Sequence, residues 1–248
     1  IISDFIESYF ERRMARILLL GMISGFPWVL IASSLSLWLK EEGLSRSTIG
    51  WAGLIFAVYG FNWLWAPLID RLRVPVLTDR LGHRKAWILI LQAVILVCIL
   101  FWSTIDPVSS LALVIGAGLV IAICSATQDI TIDALRIEQI DKDDARGMAA
   151  GAAVAVVGWW SGFKLGGMAA LFMADYLETA GVANYWQMTF IFLAVLVVLC
   201  NVGLLFIPEI GTRERVERQR QAQQAMADKM GGAGPVSYTH LRAHETAY

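Results

Sequence analysis

The stretch "SATQDITIDALRIE" places Ser125, Asp129, Asp133 and Arg136 at spacings of 4, 4 and 3. On a helix that spacing stacks all four on one face. At a rise of 1.5 Å per residue, Asp133 lies about 5 Å and Asp129 about 10 Å from Arg136 along the axis. Two carboxylates one turn apart in a low-dielectric site cannot both ionise easily unless a cation intervenes. Either could then carry a proton, so both are proton-coupling candidates. The other chemistry open to the column is closure of a helix bundle, with Arg136 neutralising Asp133. Both readings stand for Asp129, and the gate is the expected role of Asp133.

A second group lies in "GWWSGFKLGG". Gly158, Gly162 and Gly166 form two overlapping G-x-x-x-G units, a face that lets another helix approach closely. Lys164 falls about 200° around from Gly162, with Trp160 one turn back on its own face. A lysine beside an indole and facing a cavity suits an anionic or sugar-bearing ligand; an ion pair with Asp129 is the alternative. The loop "WAPLIDRLRVPVLTDRLGHRKAW" supplies Asp70, Arg71, Asp79, Arg80, Gly82, Arg84 and Lys85 at helix ends. With Arg136 these form a candidate gate.

The elements that hold these residues follow from composition. Of 248 residues, 57% are hydrophobic and only 17% charged, and mean hydropathy is +0.61. Ordinary soluble domains sit near 45–50% and 25%. Disorder, coiled coil and a disulfide scaffold are excluded by the same figures, and no basic stripe points to nucleic acid. Six apolar runs, at 17–39, 47–69, 86–104, 109–134, 148–174 and 186–207, are long enough to cross a hydrocarbon core as helices. The alternation of a membrane β-barrel is missing. The third and fourth runs meet at Asp106-Pro107 and are expected to form a hairpin.

Fifteen Lys and Arg fall on one side of these runs, against Lys40 and Arg46 on the other. The positive-inside rule puts both ends of the six-helix unit in the cytoplasm. Trp38, Trp51, Trp87, Trp102 and Trp186 fall at run ends and are expected to form an interfacial belt. Cys98, Cys124 and Cys200 read as buried small hydrophobes, and no metal or cofactor is implied. Residues 1–16 are expected to form a cytoplasmic interfacial segment and 209–230 a cytoplasmic linker. The string 231–248, despite His240 and His244 at i,i+4, reads as a non-native tail outside the fold. The start at Ile1 suggests a fragment.

Taken together, "SGFP" in the first run, "WAPLIDR" with its basic loop, "SATQDITIDALRIE" and "ARGMAAGAAVAVVGWWSGFKLGG" resemble the AmpG-type muropeptide permeases of the major facilitator superfamily. The D-R-x-G-x-R-K string resembles the loop between helices two and three of that superfamily. The resemblance spans about residues 10–208. It implies an all-α membrane protein of two six-helix halves, of which this is the N-terminal one, with the C-terminal half as its missing partner. It also implies proton-driven import of sugar-peptides from cell-wall turnover across a bacterial inner membrane, and no enzyme activity. For such a ligand Lys164 could meet a carboxylate, and Trp28, Trp159 or Trp160 could stack on sugar rings. Gln128, Asn62, Ser24 and Ser125 could hydrogen-bond. A carrier of acetyl-coenzyme A is a rival within the superfamily. A metal-dependent lipid transferase using Asp129-x-x-x-Asp133 is a rival from another class, but no second acidic motif supplies the further ligands it needs.

Overall fold

The computed structural model describes residues 11–72, 74, 77–140 and 143–209. The chain divides into two units after Glu209. The second unit lies outside the described residues, and so do the expected tail, the linker beyond Glu209 and residues 1–10. Helices dominate the described residues, and no strand occurs among them.

Helix α1 runs Arg12–Glu41, and the short α2 (Arg46–Ala52), α3 (Val58–Phe61), α4 (Ala66–Arg71) and α5 (Leu77–Leu81) follow. Then come α6 (His83–Trp102), α7 (Leu111–Glu138), α8 (Ala145–Thr179) and α9 (Tyr185–Leu205). Of these, α1, α6, α7, α8 and α9 are long and apolar enough to cross a membrane. The remaining expected span, 47–69, is helical but broken. Tight 3₁₀ turns at Gly53–Ala57 and Asn62–Leu64 separate α2, α3 and α4. Gly50, Gly53 and Gly60 weaken helix propensity there, and Pro67 opens α4, where its missing N–H does no harm.

α1 is also irregular. Pro27 sits inside it, and the six residues after Trp28, Val29–Ser34, widen into a π-helix. Proline has no N–H to give the carbonyl four residues earlier, so the Ile23 carbonyl loses its helical partner. Disturbances of this kind cluster at proline and at functional sites.

α1 and α8 lie backbone to backbone. A Cβ on Gly21 would come within 3.0 Å of the Gly158 Cα, and one on Gly25 would run into the Trp159 carbonyl. A Cβ on Gly162 would lie 2.8 Å from the Met22 Cα, and one on Gly166 would crowd Phe26 and Val29 at 2.9 Å. The glycine face of α8 therefore meets a matching pair on α1. In a bilayer, where no hydrophobic drive joins helices, such close van der Waals contact holds them together. Asp144 fixes the start of α8: its carboxylate accepts from the Gly147 N–H at 2.7 Å and pairs with Arg13 at 2.8 Å. The Gly147 hydrogen bond, then the Arg13 guanidinium, hold that carboxyl below its ordinary range.

The end of the bundle away from Arg136 is closed by aromatic rings. Trp38, Trp102, Trp186 and Phe190 are fully buried, with ring centroids 4.9–6.2 Å apart from one to the next. Glu41 accepts from the Tyr185 hydroxyl at 2.8 Å and from Trp186 Nε1 at 2.5 Å, while Trp102 Nε1 donates to the Val114 carbonyl. The expected tryptophan belt is thus corrected. Three of its five members turn inward, and the indole N–H groups of two of them, Trp102 and Trp186, find acceptors in the Val114 carbonyl and in Glu41 at the end of α1. Trp51, at 70% exposure, faces outward.

Gly25→Ala and Gly162→Ala are each expected to destabilise the bundle by about 1–3 kcal/mol through overpacking. Gly167→Ala, on the same helix with open space around it, should change little. Unfolding of the purified protein in detergent micelles checks both.

Candidate functional site

A buried chain of amides sets the position of α7 against α1. Gln128 is fully buried, and its Nε2 donates to the Ile23 carbonyl at 3.1 Å, the carbonyl that Pro27 leaves without a helical partner. Its Oε1 accepts from Gln92 Nε2 of α6 at 2.8 Å. Both ends of the Gln128 amide are therefore engaged inside the bundle, behind the site rather than in it. No sequence motif marked Gln92. The one available signal was a lone amide inside an apolar run.

With Gln128 locked, the next residue turns toward α1. Asp129 Oδ1 accepts a hydrogen bond of 2.5 Å from Ser24 Oγ. The pair borders a cavity of about 390 Å³ between α1, α7 and α8, whose wall includes Gly21, Asp133, Arg136 and Trp159. Arg136 reaches back to Asp133 at 3.2 Å, and the Asp133 side chain is 66% exposed. One carboxylate of the column is thus neutralised and open. Asp129 is half-buried, and among the described residues no cation lies within ion-pair distance of it. The Lys164–Asp129 pair considered from sequence does not form. Lys164 is exposed on α8, its Nζ 5.6 Å from the Trp160 ring and 5.3 Å from Phe163, and it is not among the cavity's lining residues.

The other expected ligand contacts are spread more widely. Trp159 lines the cavity, and Trp28 meets it edge-on at 5.6 Å. Trp160 is half-exposed beside Lys164. Ser125 is fully buried, one turn beyond Asp129. Asn62 opens the second 3₁₀ turn and is half-buried. Among the described residues, no group of three His, Cys, Asp or Glu is arranged to hold a metal.

The candidate gate divides. Gly82, Arg84 and Lys85 form a clasp at the start of α6. The Glu209 carboxylate accepts from the backbone N–H groups of Arg84 and Lys85 at 3.2 and 3.0 Å, the favoured place for an anion on a helix. Gly82 has φ +100°, and a Cβ there would collide with that carboxylate, so glycine serves both the turn and the contact. Arg84 pairs with Glu138 at 2.7 Å and donates to the Ala134 carbonyl, which ties in the end of α7. Lys85 is 6% exposed and donates to the Leu205 carbonyl at the end of α9. Arg71 and Arg80 are exposed and outside the clasp. The side chains of Asp70 and Asp79 lie outside the described set. Sequence reasoning missed Glu138 and Glu209, because each is a single acid at the end of a run and only the fold brings it to α6.

Gln92→Leu and Gln128→Leu should each destabilise by about 1–3 kcal/mol, since each strands a buried polar partner. The double variant should lose less than the sum of the two, because the groups act as one network. A double-mutant cycle of unfolding in micelles measures this.

Residues 17–245 match the family model of the Major Facilitator Superfamily. The chain is 35% identical over 208 residues to the anhydromuropeptide permease of Escherichia coli K12, covering 84% of this chain and 40% of that protein. It is 31% identical over 199 residues to AmpG 4 of Rickettsia felis, covering 80% of this chain and 46% of that one. AmpG 1 of Rickettsia conorii is 32% identical over 187 residues, with 75% and 44% covered. The chain spans less than half the length of these relatives. Its all-helical build, its membrane-length helices and these matches agree: the chain belongs to the Major Facilitator Superfamily.

Proposed function

We propose that the chain is the N-terminal half of a proton-coupled importer of anhydro-muropeptides in the bacterial inner membrane. The observation that carries this reading is Asp129. It is a carboxylate set among membrane-length helices, at the wall of a cavity, with a serine hydroxyl and, among the described residues, no cation beside it. Ionisable groups at membrane depth are expensive and mark ion or substrate paths. A carboxylate that no cation holds ionised can take a proton from the cavity and give it back. Asp133, held by Arg136 at the more open end of the same cavity, passes protons and closes the path. The names of the relatives support a sugar-peptide as cargo, and the cavity offers Arg136 to a peptide carboxylate and Trp159 to a sugar ring.

The excess of Lys and Arg on one side of the apolar runs supports a cytoplasmic position for the Arg84–Glu138–Glu209 clasp and for both ends of the described bundle. The clasp then holds the cytoplasmic ends of α6, α7 and α9 together as one body while a second six-helix half moves against it. Exchange of cargo between those halves is the usual logic of such transporters.

In proteoliposomes of the full-length protein, Asp129→Asn should abolish accumulation of labelled anhydro-muropeptide under an inward proton gradient. Equilibrative exchange of the same ligand, which needs no net proton movement, should survive. Wild-type accumulation in the variant would remove Asp129 as proton carrier. Accumulation of acetyl-coenzyme A in place of muropeptide would move the protein to another cargo.

A further inference from the structure

α7 borders a second hollow on its opposite flank, where Thr127 lies about 200° around the helix from Asp129. A groove of about 640 Å³ runs there between residues 57–69, Trp87 and Leu91 of α6, and Ile123 and Thr127 of α7. One wall is the run broken by the two 3₁₀ turns. Phe61, Leu68 and Ile123 remain exposed along it, so the groove is open at its side. Three of the lining side chains carry a polar atom, and all three are engaged. Trp65 Nε1 donates to Thr127 Oγ1 at 2.9 Å, Thr127 Oγ1 to the Ile123 carbonyl at 2.7 Å, and Trp87 Nε1 to the Leu72 carbonyl at 2.8 Å. The rest of the lining is aliphatic or phenyl. At one end of the groove His83 Nε2 lies 3.1 Å from the Ile69 carbonyl, so His83 and Trp87 together pin the end of α4 to α6. Arg71 stands at that end, three residues past Leu68 on the same helix face. It is exposed, with no ion-pair partner among the described residues.

These limits select the occupant. A sugar or peptide finds no side-chain donor left in the lining, and a polar group without a partner in an apolar site is costly. A helix 10–12 Å across is too wide, since the volume, spread over the about 18 Å that residues 57–69 span, leaves a narrower section. A hydrocarbon chain meets both limits. At 1.5 Å per residue, Trp87 lies about 6 Å inside the start of α6, and Ile123 about 22 Å inside the end of α7. The groove therefore reaches from the helix ends toward the middle of a hydrocarbon core about 30 Å thick, the depth of one lipid leaflet. Charge at its mouth favours an anion. Residues 70–85 carry five Lys and Arg against Asp70 and Asp79. The clasp takes Arg84 and Lys85, and Arg71 and Arg80 stay exposed. A basic side chain beside the membrane attracts an anionic headgroup, and tryptophan, here Trp87, favours the interface. We propose that the groove holds one acyl chain of an anionic phospholipid whose phosphate meets Arg71. The lipid fills the space beside the broken run and ties that run to α6 and α7. The inference needs only a membrane-spanning bundle and stands whatever the cargo.

The test is native mass spectrometry of the full-length protein, released from micelles that hold equal amounts of phosphatidylglycerol and phosphatidylethanolamine. The wild type should retain one lipid and prefer phosphatidylglycerol by about fivefold, the worth of one basic side chain beside an anionic headgroup. Arg71→Gln should bring that ratio close to one while a lipid is still retained. Ala57→Trp and Ile123→Trp, which fill the groove from opposite walls, should each lose the retained lipid of both kinds. Val97→Trp, at an exposed position of α6 outside the groove, should retain it as the wild type does. A wild type that retains no lipid, or both equally, overturns the proposal, and so does a preference that survives in Arg71→Gln. Retention that survives both groove-filling variants, or that Val97→Trp loses as fully as they do, makes the lipid part of the general annulus and likewise overturns it. Displacement of the lipid by glycerol phosphate alone would mark a bare phosphate site and exclude the acyl chain as the anchor.

Discussion

The described bundle depends on a constraint that the bilayer imposes at one carbonyl. Pro27 removes the N–H that the Ile23 oxygen would have used, and in hydrocarbon no water replaces it. Gln128 fills the gap from α7, and Gln92 fills the remaining end of Gln128 from α6. Three long helices are thereby fixed in rotation and depth around a single proline. Asp129, the residue after Gln128, is then forced to a defined place opposite Ser24. On the other flank of α1, Gly21 and Gly25 admit the backbone of α8 and bring Trp159 to the same cavity. Proline and glycine thus act together: one opens the helix for a side chain, the other opens it for a neighbour.

Charge is partitioned within this frame. Where acids meet bases closely, as in Arg84 with Glu138 or Arg13 with Asp144, the pairs sit at helix ends and join elements. Within the cavity the pairing is incomplete. Arg136 serves Asp133, and among the described residues Asp129 has a hydroxyl alone. Paired groups hold the ends of the helices, and Asp129, with no cation beside it among the described residues, stands at the cavity wall.

Much of this was legible in the sequence, for local reasons. Apolar length gave the long helices, and spacing along one helix put Asp129, Asp133 and Arg136 in a column. Glycines four apart marked the close face of α8. What was hidden depends on residues far apart in the chain. Gly21 and Gly25 have the same spacing, yet only the fold shows that they face the backbone at Gly158 and Trp159. Gln128 read as a ligand contact because its partners, Gln92 and a carbonyl freed by Pro27, lie on other helices. Trp38, Trp102 and Trp186 sit at run ends, as interfacial residues do, but converge around Phe190 inside the bundle. The span at 47–69 has the hydropathy of an unbroken helix, and its glycines and Pro67 divide it.

The central claim is that Asp129 carries the proton that accompanies the cargo. A pH-sensitive dye trapped in proteoliposomes of the full-length protein tests it most directly, with muropeptide added outside and no imposed gradient. The lumen should acidify as cargo enters through the wild type and stay unchanged through Asp129→Asn, while labelled cargo equilibrates across both. Entry through the wild type without acidification, or acidification that persists in the variant, would contradict the account.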